Sequence, residues 1–182
     1  VHPRYPLLLA ANRDEFHARP TAPLEAWAHP PGVVAGRDLQ GGGTWLAMDR
    51  GGRLAAVTNY REPGRTLPAA VSRGGLVTGF LAGDRPPADY LGRLAPEAGR
   101  YNGFNLVVGG VDRLCYFSNR APGIRTLPPG IHALSNHLLG TPCPKVFKVR
   151  DAFAGLLARA GEIPIAALMA ILQDATPAPD AD

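Results

Sequence analysis

A chain of 182 residues is long enough to bury a core, and its 22 glycines and 19 prolines follow no repeat, which excludes a collagen-like or linker sequence and leaves one globular domain as the expectation. The formal charge is +4, and because Lys145 and Lys148 are the only lysines, the positive charge rests on arginines scattered through the sequence; with no basic block, nucleic acid is not an expected partner. No apolar run approaches the roughly 20 residues of a membrane span, and Cys115 and Cys143 stand too far apart for a Cys-x-x-Cys site, so no metal, reduced thiols in a cytoplasm and no stable membrane insertion are expected.

In chain order, residues 6–11 form an apolar run of strand length that stops at Asn12, Arg13, Asp14 and Glu15, four hydrogen-bonding side chains in succession. A strand that ends this way places polar groups at the rim of a sheet, where they serve either as a site or as a polar network locking the strand end. The prolines of Arg19-Pro20-Thr21-Ala22-Pro23 lack a backbone donor and bias their predecessors, which predicts a loop. A short strand over residues 32–38 precedes Gly41, Gly42 and Gly43, glycines that signal close approach by another part of the molecule. Residues 44–48 and 54–58 flank a Gly-containing turn and read as a hairpin, whose second arm ends in Asn59, Tyr60 and Arg61 before Pro63-Gly64 turns the chain away.

Ser72 is positioned to cap a helix through Leu76, Val77, Phe80 and Leu81, although Gly74, Gly75 and Gly79 weaken it. A second short helix covers residues 86–94, with proline tolerated in its first turn. Residues 104–109, 114–119, 124–127 and 131–135 read as four arms of an antiparallel meander. Val146, Val149, Phe153 and Leu157 recur at helical spacing within residues 145–160, and a last helix over 165–172 follows Pro164. Strands, helices, strands and helices in that order give an α+β layered domain. The opening at Val1 and the polar tail over residues 174–182 read as a domain truncated at both ends.

Taken together, Asn12-Arg13-Asp14-Glu15, Gly41-Gly42-Gly43-Thr44-Trp45-Leu46, Thr58-Asn59-Tyr60-Arg61, Tyr101-Asn102-Gly103-Phe104-Asn105-Leu106 and Leu134-Ser135-Asn136 ahead of Lys145-Val146 resemble, in order, the NRDE family, also called the Transport and Golgi Organisation two family. The resemblance implies a four-layer αββα sandwich of antiparallel sheets, as in the N-terminal nucleophile hydrolases. Those enzymes use the first side chain of the mature chain as nucleophile and its α-amine, with a pKa of about 7.7–8, as base. The family typically carries Cys directly after the initiator Met, whereas Val1 supplies no nucleophile.

Similarity to the penicillin V acylase and bile salt hydrolase branch assigns Arg13 to lowering the thiol pKa, Asp14 to orienting the α-amine, and Asn59 and Asn136 to holding an oxyanion; Asn12, Glu15, Tyr60 and Arg61, beside them in the same motifs, are the expected substrate-binding residues. The departure is that this branch separates its Arg and Asp, which are adjacent here. His132 and His137, five apart, suit neither one strand face nor one helix face as metal ligands. Three readings follow. The first is a cysteine amidohydrolase cleaving a linear amide of a small molecule, with no cofactor. The second is a non-catalytic module binding haem or lipid in the same cleft, for which the residues hold no haem attachment motif. The third is a scaffold in which the Asn-Arg-Asp-Glu run locks the fold.

Overall fold

A computed structural model describes residues 2–65, 67, 70–159 and 161–176. The chain divides into two compact units, one comprising Glu15–Pro128 with Asn136–Leu138, the other Val1–Asp14, Pro129–Ser135 and Leu139–Asp182. Among the described residues, no helix is long and apolar enough to cross a membrane.

The larger unit is built on one seven-stranded sheet of β1 (Thr21–Ala26), β2 (Val33–Asp38), β3 (Leu46–Asp49), β4 (Arg53–Asn59), β5 (Phe104–Gly110), β6 (Leu114–Ser118) and β7 (Arg125–Leu127). The strands lie side by side in chain order, every neighbouring pair antiparallel. Between β4 and β5 two helices, α1 (Gly74–Ala82) and α2 (Pro87–Leu94), and a 3-10 turn (Ala95–Arg100) cross the sheet. The mixed α/β class expected from the sequence is therefore present, as a seven-stranded antiparallel sheet with helices.

Period-two alternation along β5 explains the packing. Phe104, Leu106 and Val108 are fully buried in the core that includes Leu76, Val77, Phe80 and Leu81 of α1 and Leu91 of α2. The four α1 residues are those whose spacing in the sequence marked one helical face. Phe80 meets the Tyr90 ring edge-on at 5.3 Å, and the Tyr90 hydroxyl donates to Leu76 O at 2.7 Å. Burial pushes the Tyr90 phenol up to about 12. The glycines of α1 divide by use: a Cβ on Gly74 would stand 3.0 Å from Thr44 N and one on Gly79 3.1 Å from the Tyr90 hydroxyl, whereas one on Gly75 would meet nothing. Arg73, rather than Ser72, occupies the N-cap position, and no side chain caps the helix.

Three expectations are corrected. Of residues 19–23, read as loop because of Pro20 and Pro23, residues 21–23 belong to β1 at the sheet edge; the register shifts between Ala22 and Glu25, so Pro23 sits in an irregularity where no ladder donor is required. Residues 6–11, read as the opening strand, have no strand assignment, and Leu9 remains 40% exposed; an apolar run becomes a strand only by pairing, and no described strand pairs with it. Residues 131–135, read as a fourth meander arm, are likewise irregular, so the meander ends with the three-residue β7.

In the smaller unit, α3 (Pro144–Leu157) and α4 (Ile165–Leu172) pack together. The Tyr5 hydroxyl accepts from Ile163 N at 3.2 Å, and Lys148 pairs with Asp174 at 2.6 Å. Among the described residues α3 stops at Leu157, short of the expected residue 160, which lies outside them.

Candidate functional site

In an antiparallel sheet with sequential strand order, the C-terminal ends of β2, β4 and β6 and the N-terminal ends of β1, β3, β5 and β7 share one edge. That edge collects the polar motifs that the sequence scatters. Arg19 precedes β1, Asp38 ends β2, Gly41–Gly43 lead into β3, Asn59–Glu62 leave β4, Tyr101–Gly103 enter β5, and Asn119 and Arg120 leave β6.

Part of this edge is structural. Asp38 accepts from Arg19 Nε at 3.0 Å and Nη2 at 2.6 Å through one oxygen, and from the Gln40 and Gly41 amides at 3.1 and 3.0 Å through the other. Burial pushes its carboxyl up, but Arg19 and the two amides outweigh burial and hold it below the usual value. Glu15 lies 3.5 Å from Arg19. A Cβ on Gly43 would fall 2.4 Å from the Gly74 carbonyl carbon, so the glycine loop is the seat of the α1 N-terminus, the close approach its composition signalled. Asn119 accepts from Phe104 N at 2.9 Å and donates to Ala98 O at 3.0 Å, pinning the 3-10 turn to β5. Asn105, fully buried, accepts from the Tyr116 hydroxyl at 2.7 Å and donates to Thr58 Oγ1 at 3.2 Å and His137 O at 2.9 Å.

That last bond, with two other hydrogen bonds and a ring contact, holds residues 136–138 against the ends of β4 and β5. Arg61 N donates to Asn136 O at 2.8 Å, Asn136 Nδ2 donates to Asn59 O at 3.4 Å, and the His137 and Tyr60 rings meet edge-on at 6.1 Å. The structure thus brings together Asn59, Tyr60, Arg61 and Asn136, four of the residues singled out from the sequence, from positions 77 apart at the extremes. Asn59 is exposed, and among the described residues its side-chain amide makes no hydrogen bond. Of the Asn-Arg-Asp-Glu run, Glu15 belongs to this unit, while Asn12, Arg13 and Asp14 belong to the smaller one, where Asn12 Nδ2 donates to Leu172 O at 2.7 Å.

The sequence reading missed three charged residues of this edge. Glu62 accepts from Arg120 Nε at 2.7 Å, with Arg65 at 3.7 Å; its second oxygen is buried without a hydrogen-bond partner among the described residues. The Arg120 hydrogen bond holds the Glu62 carboxyl below its ordinary value against the opposing effect of burial. Arg73, half-buried, donates from Nη1 to Gly103 O at 2.9 Å, and Tyr60 N donates to the same oxygen at 2.9 Å. Burial lowers the Arg73 pKa, Glu15 opposes that and Arg19 adds to it. Nothing local announces these pairs: Glu62 and Arg120 are 58 residues apart, and only the sheet order joins them.

This edge offers a neutral amide and a half-buried guanidinium to a carbonyl or anionic ligand. It offers no thiol: Cys115 is fully buried, 3.9 Å from Thr126 Oγ1, and Cys143 lies in the other unit, at the N-cap of α3. Among the described residues no group of three His, Cys, Asp or Glu side chains is placed to hold a metal ion.

Comparison with known proteins matches the whole chain, residues 1–182, to the family model described as Transport and Golgi organisation 2. The chain is 39% identical over 179 residues to the Transport and Golgi organization protein 2 homolog of Homo sapiens, covering 93% of this chain and 64% of that protein. It is 41% identical over 179 residues to the Bos taurus homolog, covering 92% and 64%, and 31% identical over 185 residues to the Drosophila melanogaster Transport and Golgi organization protein 2, covering 92% and 65%. It therefore spans less than two thirds, 64–65%, of the length of each of these relatives. A match along the full chain, together with the glycine-seated α1 and the Asn59–Asn136 junction on which the motifs converge, makes this chain a member of the Transport and Golgi organisation 2 family.

Proposed function

We propose that the polar edge of the sheet is part of an N-terminal nucleophile hydrolase-like site, that of a cysteine amidohydrolase acting on a linear amide of a small molecule. The observation that carries this reading is the exposed Asn59 amide, free of hydrogen bonds among the described residues, beside Asn136, whose own amide reaches the Asn59 carbonyl at 3.4 Å. Amide hydrolysis needs neutral donors placed before charge develops on the carbonyl oxygen, and an uncommitted Asn at a rigid strand end is such a donor. At this edge Glu15, Tyr60 and Arg61 would contact substrate; the roles of Arg13 in depressing a thiol pKa, of Asp14 in orienting an α-amine and of Asn12 in contacting substrate rest on the family resemblance alone. The thiol itself is neither Cys115 nor Cys143; it would open the mature chain, and the sheet described here would be one of the two in a four-layer sandwich.

The test is the N-terminal sequence and intact mass of the protein from its native source, followed by a screen of small linear amides for amine release. A mature chain opening on Cys, with activity reduced by about 10²–10³ in Asn59→Ala, is the expected result; an N-terminus carrying no Cys, Ser or Thr sinks the hydrolytic reading. A second reading, resting on the family resemblance, is that the same edge binds haem or lipid without chemistry; the relatives' names speak of transport and name no ligand. A haem titration followed by the Soret band tests its haem form, and a flat response rejects it.

A further inference from the structure

Arg73 is fixed to the residue that follows Asn59. Gly103 O accepts both from Arg73 Nη1 and from Tyr60 N, each at 2.9 Å, so one carbonyl sets the guanidinium beside the backbone that carries the Asn59 amide. Gly103 is closely surrounded, since a Cβ there would lie 2.9 Å from Glu62 Oε2, 3.0 Å from Tyr60 Cβ and 3.1 Å from Tyr60 O. On the other side, α1 begins at Gly74, whose backbone is pressed against Gly43. Arg73 is therefore held at both ends of its own residue, by its backbone in the glycine seat and by its guanidinium on Gly103.

A guanidinium has five N–H donors in a planar fork, and among the described residues Arg73 spends one hydrogen bond. The nearby carboxylates make their ion pairs with other arginines, Glu62 with Arg120 through one oxygen while its other oxygen is without a partner among the described residues. Asp38 is bound to Arg19, and Glu15, although it acts on Arg73 electrostatically, makes its ion pair with Arg19 at 3.5 Å. A half-buried cation with unused donors and no ion pair of its own is under-compensated, and a planar anion is the partner its geometry accepts with two parallel hydrogen bonds.

We propose that the ligand of this edge carries a carboxylate and that Arg73 binds it, which places the substrate class as small amides bearing an anionic end. This rests on the ligand site proposed above, with the amide carbonyl at Asn59 and the carboxylate at Arg73. Charge-assisted bonds of about 1.5–3 kcal/mol correspond to a preference of roughly 10- to 100-fold for a carboxylate over its neutral counterpart.

The test titrates the full-length protein, its Arg73→Gln and its Arg73→Lys variants with N-methylsuccinamate, neutral N-methylbutanamide and inorganic phosphate. Binding is read by NMR shifts and methylamine release in the same samples. The expected result is N-methylsuccinamate binding at least about ten-fold tighter than N-methylbutanamide, a preference abolished in Arg73→Gln and reduced in Arg73→Lys. If the glutamine variant does not fold, the lysine variant carries the test, since it keeps the charge and a donor for Gly103 O but not the fork. Equal binding of the two amides, or a preference that survives in Arg73→Gln, overturns the assignment, as does phosphate binding more tightly than the carboxylate. A carboxylate preference without methylamine release leaves the Arg73 assignment standing and overturns hydrolysis of this amide class. Equal methylamine release from both amides does the reverse.

Discussion

Replacing Gly43 by Ala places a methyl group where the α1 N-terminus already stands. The new Cβ would lie 2.4 Å from the Gly74 carbonyl carbon, 2.7 Å from its oxygen and 2.8 Å from its Cα, against the 3.4–4 Å of ordinary contact. All three atoms are backbone, so no rotamer change relieves the overlap, and the loop and helix must separate by about an ångström. Overpacking of a close-packed interior costs about 1–3 kcal/mol when side chains can adjust, and this case falls at or above the upper end. Gly75→Ala provides the opposite sign one turn residue away: its Cβ meets nothing, its backbone is helical, and the substitution stabilises by about 0.5–1 kcal/mol. Urea unfolding of the two variants beside the parent, compared at constant slope, reads both effects. A Gly43→Ala variant within 0.5 kcal/mol of the parent, or a pair shifting in the same direction, would refute the claim that the glycine loop seats α1.

Other expected outcomes concern the supports of the same edge. Tyr116→Phe removes the hydroxyl that donates to buried Asn105 and costs about 1–2 kcal/mol, and in an Asn105→Ala background it costs less; equal costs in both backgrounds would show that the bond is not coupled. Arg120→Met strips Glu62 of its 2.7 Å partner and destabilises by about 1.5–3 kcal/mol near pH 7, measured by urea unfolding. The pH dependence follows from the same groups. Asp38 and Glu62 are held below their ordinary values of 3.8 and 4.5, so their stabilisation is complete above that range, begins to decline within it and is lost as pH falls below it through the lower folded-state values; unfolding at pH 3 and pH 7 should show Arg120→Met closing on the parent at the lower pH. Phe80→Ala, at 1% exposure, costs about 3–5 kcal/mol by the same assay.

Where a local pattern had one physical cause, it was legible. The spacing of Leu76, Val77, Phe80 and Leu81 marked a helical face because those residues all meet the sheet, and the strands around Asn59 and Asn105 stood out because their apolar residues are core. Helix α4 fell where Pro164 and the apolar run placed it. Strand β1 was hidden because its prolines argue against a ladder, and only an edge strand with a register break admits them. Residues 6–11 misled in the other direction, because apolar content signals a strand only when a partner is present.

The candidate site was half legible for a related reason. Asn59, Tyr60, Arg61 and Asn136 lie inside motifs at strand ends, whereas Glu62, Arg73 and Arg120 gain their meaning from bonds between distant strands and a helix start. The glycines of α1 belong to both classes: Gly74 and Gly79 weaken the helix yet leave room for neighbours that a Cβ would crowd, and Gly75 weakens it without such a contact.

The most direct measurement is the map of amide and side-chain NH₂ shifts of the full-length protein titrated with N-methylsuccinamate. The account predicts that the largest changes fall on the side-chain amides of Asn59 and Asn136 and on the backbone amides of Tyr60, Arg61 and Gly103, and that they vanish in Arg73→Gln. Changes confined to α3 and α4, or the same changes in the absence of the Arg73 guanidinium, would contradict it.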